Sequence, residues 1–106
     1  MYEVDQYTVS LLHFDGGLTD ESGKVWAAQN GATVSTTQSK FGGSSLYLNG
    51  INQCLTTPNN TDFDFGSGDF TIEGWVCPAS TGKWGGVIVS KWYSAGEGSN
   101  SWSVSI

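Results

Sequence analysis

The sequence predicts an all-β fold of antiparallel strands, in the sandwich or jelly-roll range, and three observations carry that prediction. Apolar residues alternate with polar ones in short runs instead of recurring at the helical period. Fifteen glycines among 106 residues, with abundant Ser and Thr, divide the chain into pieces too short for ordinary helices. Turn signals such as Asp15-Gly16 and Asn49-Gly50 stand at the ends of those runs.

Residues 1–7 read as a lead-in, and residues 8–106 as the domain. Thr8 to Phe14 reads as a first strand, ended by the turn Asp15-Gly16-Gly17. Val25 to Ala28 and Thr33 to Ser35 are weaker strand candidates. Ser45 to Asn49 alternates cleanly and stops at Asn49-Gly50, so Gln53 to Thr57 is expected to pair back onto it as a hairpin before Pro58 ends the run. Phe70 to Val76 is the clearest strand, with Phe70, Ile72 and Val76 on one face and Thr71, Glu73 and Trp75 on the other. Gly85 to Trp92 reads as a strand apolar enough for the middle of a sheet, and Gly96 to Asn100 as a loop. Ser101 to Ile106 alternates strictly, placing Trp102, Val104 and Ile106 on one face. About six to eight short strands result, the number expected of a sandwich or jelly roll. Ile106 closes its strand with no polar tail, so the fold is expected to be incomplete at the C-terminus.

Composition narrows the function classes. Ten acidic residues against four lysines, without a single Arg, give a formal charge of -6. Such a surface cannot track phosphates, which excludes nucleic acid as the expected partner. No apolar run approaches membrane-spanning length, so no membrane insertion is expected. The acidic start Met1-Tyr2-Glu3-Val4-Asp5 lacks the basic and apolar regions of a signal peptide, which points to assembly in the cytoplasm. Cys54 and Cys77 have no paired-motif spacing and read as two partly buried thiols, with a single bridge between them as the alternative. The Asn59-Asn60-Thr61 sequon reads as accidental without a secretion signal.

Four pieces follow one another in order: Leu11-Leu12-His13-Phe14-Asp15-Gly16, Thr19-Asp20-Glu21-Ser22-Gly23, Lys40-Phe41-Gly42-Gly43-Ser44-Ser45-Leu46, and Asp69-Phe70-Thr71-Ile72-Glu73-Gly74-Trp75-Val76. That succession resembles the laminin G-like (concanavalin A-like) domains of phage tail and virion proteins and of bacterial surface proteins, over about Thr8 to Ile106. The resemblance implies an antiparallel jelly-roll β-sandwich, and a domain longer than this chain whose remaining strands come from a larger chain or a partner. Its pieces also have physical readings. Phe14 is expected to face inward. Phe41 is expected to enter the core before a tight Gly42-Gly43 corner, and Trp26 or Trp92 to pack across the gap left by Gly74.

Candidate chemistry is sparse. A glycosidase needs two carboxylates facing one another, and Glu73 has only Thr71 and Trp75 as same-face neighbours. His13 is the only imidazole, and it reads as a half-buried strand residue instead of a general base. No catalytic residue and no cofactor is expected. Acids cluster at Asp15, Asp20 and Glu21 and at Asp62, Asp64 and Asp69, which keeps structural calcium open as an alternative with no ligand assigned. The resemblance also implies calcium in some relatives. Trp84, Trp92 and Tyr93 are the ligand-binding candidates, because exposed aromatic rings can stack on sugar faces. Trp84 is the best placed, and a lid over the core is its competing role. Trp75 and Trp102 are expected in the core.

These readings converge on a non-enzymatic structural or adhesive module of a phage virion or tail, displayed on the virion or another extracellular surface. Its expected partners are neighbouring virion or surface-protein subunits, with host-surface glycans as a second class, in an oligomer or a larger chain. The alternative is a carbohydrate-binding module cut from a larger secreted glycoside-processing enzyme or bacterial surface protein. A spacer or surface decoration without binding activity is a third reading.

Overall fold

The computed structural model describes residues 3–79, 86–91 and 102–106. Within them the chain is all-β: three two-stranded antiparallel sheets and one short 3₁₀ turn. Two units follow one another along the chain, Met1–Asn59 and Asn60–Ile106.

In the first unit, β1 (Ala27–Gln29) pairs with β4 (Cys54–Thr56), and β2 (Thr33–Ser35) pairs with β3 (Ser45–Tyr47). The strand at Thr33 to Ser35 is where the alternation places it. The expected hairpin between the Ser45 and Gln53 runs is not formed, since each of them pairs with an earlier strand instead. The reason lies in the two Asn-Gly turns that separate the ladders. Asn30 and Gly31 both adopt positive φ, 57° and 81°, and Ala32 N–H closes the turn onto Gln29 O at 3.3 Å. Opposite it, residues 48–53 make a longer excursion tied down by its own side chains. The Gln53 amide bridges the two turns, accepting from Asn49 N–H at 3.0 Å and donating to Asn30 O at 3.1 Å. Asn30 Nδ2 donates to Asn52 O at 2.6 Å. Side-chain amides thus satisfy backbone groups that a tight hairpin would have paired directly.

The expected first strand from Thr8 to Phe14 is also absent as a strand. Leu12 makes a single bridge with Asp20, and Glu21 N–H donates to Leu11 O at 2.8 Å. Phe14 then takes a positive φ of 53°, which ends extended geometry, and its side chain is half-buried. Phe41, expected in the core, is 48% exposed. The adjacent glycines serve a close approach of another kind: a Cβ on Gly42, whose φ is +69°, would stand 2.8 Å from Asp15 Cγ. The most buried described residues are Ala32, Asp20 and Ser44, so the interior of this unit is organised by polar contacts as much as by apolar ones.

In the second unit, β5 (Val87–Lys91) pairs with β6 (Trp102–Ser105) across a bulge between Val87 and Val89. Gly86 and Ile106 extend the ladder with reciprocal backbone bonds of 3.0 and 2.8 Å. Trp102 and Val104 are half-buried and alternate with exposed Ser103 and Ser105, as the period of two requires. A 3₁₀ turn, Thr61–Phe63, is capped by Asn60, whose Oδ1 accepts from Asp62 N–H at 2.8 Å. Phe65 stacks on Phe70 and on Trp102, with ring centroids 4.4 and 4.9 Å apart. Trp102 Nε1 donates to Phe63 O at 2.9 Å, and Lys91 Nζ pairs with the Asp64 carboxylate.

Phe70 to Val76, read from the sequence as the clearest strand, is not a strand, and none of the described strands pairs with it. Phe70, Ile72, Trp75 and Val76 are 57%, 38%, 66% and 54% exposed, so Trp75 is not a core residue. Alternation specifies a face, but a strand also needs a neighbouring edge to take its backbone groups, and no described residue supplies one here. No described residue stands within 4 Å of a Cβ placed on Gly74, and Trp92, one of the two residues expected across that gap, lies outside the described residues. Cys54 and Cys77 are both exposed free thiols, not partly buried ones.

Candidate functional site

The most constrained constellation among the described residues surrounds Asp20. The local sequence Asp20-Glu21-Ser22 forms a side-chain turn: Ser22 N–H donates to Asp20 Oδ1 at 2.8 Å. Leu11 N–H reaches the same oxygen at 3.1 Å, which docks the N-terminal segment on this turn. Trp26 Nε1 donates to Oδ2 at 2.9 Å, and Ser10 Oγ donates to that oxygen too. Ser22 Oγ lies within hydrogen-bonding distance of both Asp20 Oδ1 and Val9 O, and its one proton can serve either. Lys24 Nζ completes the hub by donating to Val9 O at 2.6 Å.

Burial alone raises the Asp20 pKa. The donors from Ser10, Ser22, Leu11 N–H and Trp26 outweigh it and hold the carboxyl well below the usual carboxylate range. Asp20 therefore stays ionised, and its oxygens are committed to internal donors. Such a carboxylate is suited to anchoring two chain segments, and it has little capacity left for a ligand.

A second clamp lies beside the first. Ser44 Oγ donates to Phe14 O at 2.6 Å and accepts from Gly16 N–H at 2.8 Å. One hydroxyl thereby fixes both sides of the Phe14–Gly16 turn, and Gly42 permits the Asp15 side chain to sit against the same corner. Between the clamps is an open depression of about 260 Å³ lined by His13, Phe14, Asp15, Gly17, Thr19 and Glu21. It collects an imidazole and two carboxylates. No hydrogen bond from the His13 ring to a described residue orients it as a base, and the open, shallow form leaves any reacting group in water.

The chain matches no protein-family model, no curated protein and no solved structure.

Asp15 and Glu21 share the depression, while three of the acids that the sequence groups together are taken up by separate contacts. Asp20 is saturated by internal donors, Asp15 lies against Gly42, and Asp64 pairs with Lys91. Among the described residues, no group of three or more His, Cys, Asp or Glu side chains is placed to hold a metal ion. Trp84, Trp92 and Tyr93, the ligand-binding candidates, lie outside the described residues, as does the Gly96 to Asn100 loop. Sequence reasoning missed the Asp20 hub and the Ser44 clamp. An Asp two residues before a Ser was a readable signal for the turn at Asp20. The contributions of Ser10, Trp26 and Ser44 come from chain crossings that carry no local signature.

Proposed function

We propose that this chain is a non-enzymatic structural or adhesive module of a phage virion or tail, built on an antiparallel jelly roll and working by contact with neighbouring subunits or host-surface glycans. The ordered succession of the four sequence pieces from Leu11 to Val76 supports the module type. The observation that carries an assembly role is the Phe70 to Val76 run. It keeps strand-like alternation while Ile72 and Val76 on one face stay 38% and 54% exposed, which is characteristic of surface that another chain covers. The Asp20 and Ser44 clamps fit such a role, because they fix the chain path and leave few groups for chemistry.

Adhesion to glycans rests on Trp84, Trp92 and Tyr93 by residue type and spacing. The two forms of contact separate in one experiment: a glycan-array screen and light scattering on the same preparation. Association without a glycan signal supports subunit assembly. A glycan signal abolished by Trp84→Ala supports adhesion. A chain that neither associates nor binds, or that turns over a glycan, overturns the proposal.

A further inference from the structure

The two Asn-Gly turns of the first unit have the same sequence and different surroundings, and this difference predicts a modification site. An Asn side chain followed by Gly can lose its amide when the next backbone nitrogen attacks Cγ. Gly favours the attack because it has no Cβ to block the approach. At Asn49, the side-chain carbonyl is polarised by two backbone donors, Ile51 N–H at 2.9 Å and Asn52 N–H at 3.3 Å from Oδ1. Those donors are aimed at the oxygen on which negative charge develops in the tetrahedral intermediate, an arrangement that lowers the barrier to acyl transfer in general. Gly50 is exposed, nothing lies within 4 Å of a Cβ built on it, and its own N–H makes no hydrogen bond among the described residues.

Asn30 is arranged the opposite way. Its Nδ2, the leaving group, is held by Asn52 O at 2.6 Å, whereas the Nδ2 of Asn49 has only a long 3.5 Å bond to Asn52 Oδ1. Its backbone carbonyl accepts from Gln53 Nε2, and the turn around it is closed by Ala32 N–H onto Gln29 O. Rotating this side chain towards Gly31 N breaks the Nδ2 bond, and no described residue donates to its Oδ1.

We infer that Asn49-Gly50 is a self-modifying site that deamidates in the folded chain while Asn30-Gly31 is protected. The Gly50 nitrogen, its proton lost to solvent, forms a bond to Asn49 Cγ. The Cγ–Nδ2 bond breaks, and the nitrogen leaves as ammonia after gaining a proton from water. Water then opens the resulting cyclic imide at either carbonyl, leaving an aspartyl or an isoaspartyl residue at position 49. Either product adds a negative charge to a chain already at -6. The isoaspartyl form also lengthens the backbone inside the excursion that joins β3 to β4, where Gln53 and Asn52 tie the two turns together.

The test uses the whole chain aged at mildly alkaline pH, with and without urea, followed by cleavage after lysine and mass spectrometry. Lys24 and Lys40 bound the peptide that carries Asn30, and Lys40 and Lys83 bound the one that carries Asn49. Fragmentation assigns the converted Asn within each peptide. The expected result is loss of the Asn49 amide on the order of tenfold faster than that of Asn30 in the folded chain, equivalent to about 1.4 kcal/mol of barrier. In urea the two rates approach one another. Equal rates in the folded chain, faster conversion at Asn30, or a ratio that urea does not change would overturn the inference.

Discussion

Replacing Asp20 by Asn tests the hub with the smallest change of shape. The amide keeps one oxygen, which continues to accept from Leu11 N–H and Ser22 N–H, and replaces Oδ2 by a donor. The Trp26 indole N–H then faces another donor and loses its partner, costing about 1–2 kcal/mol for an orphaned half-buried group. The two retained bonds change from charge-assisted to neutral, costing roughly another 1 kcal/mol together. The expected destabilisation at neutral pH is about 2–3 kcal/mol, and Asp20→Ala should cost about 4 because both backbone donors are orphaned as well. Urea unfolding followed by tryptophan fluorescence measures both, with the exposed Ser103→Ala as a control. The pH dependence has a definite sign. The folded-state pKa of Asp20 is depressed, so the unfolded chain takes up its proton first as pH falls below the ordinary aspartate value of about 3.9. The advantage over the Asn variant is fully present above that value and is lost as pH falls through the folded-state pKa. An Asn variant within about 0.5 kcal/mol of the parent at pH 7, the range of neutral surface changes, would refute the hub as an anchor.

Other expectations follow from the remaining contacts. Ser44→Ala leaves Phe14 O and Gly16 N–H without their shared hydroxyl and should cost about 2 kcal/mol in the same unfolding assay. Gly42→Ala should cost about 1–2 kcal/mol from its positive φ, and more if the Asp15 side chain cannot move aside. Trp102→Phe retains a ring against Phe65 but loses the bond to Phe63 O, costing about 1 kcal/mol, whereas Trp102→Ala loses both and should cost about 3. Cys54 and Cys77 should both react with a small thiol reagent without denaturant, and protection of either one would contradict its exposure.

Much of the local structure was legible because a period of two is written directly in the residues. Thr33 to Ser35 and Trp102 to Ser105 are strands where alternation places them, and Val87 to Lys91 is a strand where its apolar run places one. Among the described residues, however, Val87 to Lys91 sits in a two-stranded sheet with Val87 and Ile88 exposed, and not in the middle of a sheet. Pairing was not legible. Asn49-Gly50 is a strong hairpin signal, yet β3 and β4 each join an earlier strand, because the side-chain amides of Asn30 and Gln53 donate to the backbone carbonyls of Asn52 and Asn30 across more than twenty residues of chain. Phe70 to Val76 shows the other limit: a pattern states which faces a strand would have, and only a neighbour makes it a strand. The Asp20 site was half legible. Its turn is written in Asp20-Glu21-Ser22, while Ser10 and Trp26 reach the carboxylate from outside that window.

The assembly role is tested most directly by light scattering with near-ultraviolet circular dichroism on the full chain, beside a variant carrying Ile72→Asp and Val76→Asp. The account predicts a discrete oligomer with ordered aromatic signals for the parent. The variant should shift towards monomer, because both substitutions put charge on residues that an adjoining subunit must cover. A parent that is monomeric at every concentration, or an oligomer that the two aspartates leave unchanged, would contradict it.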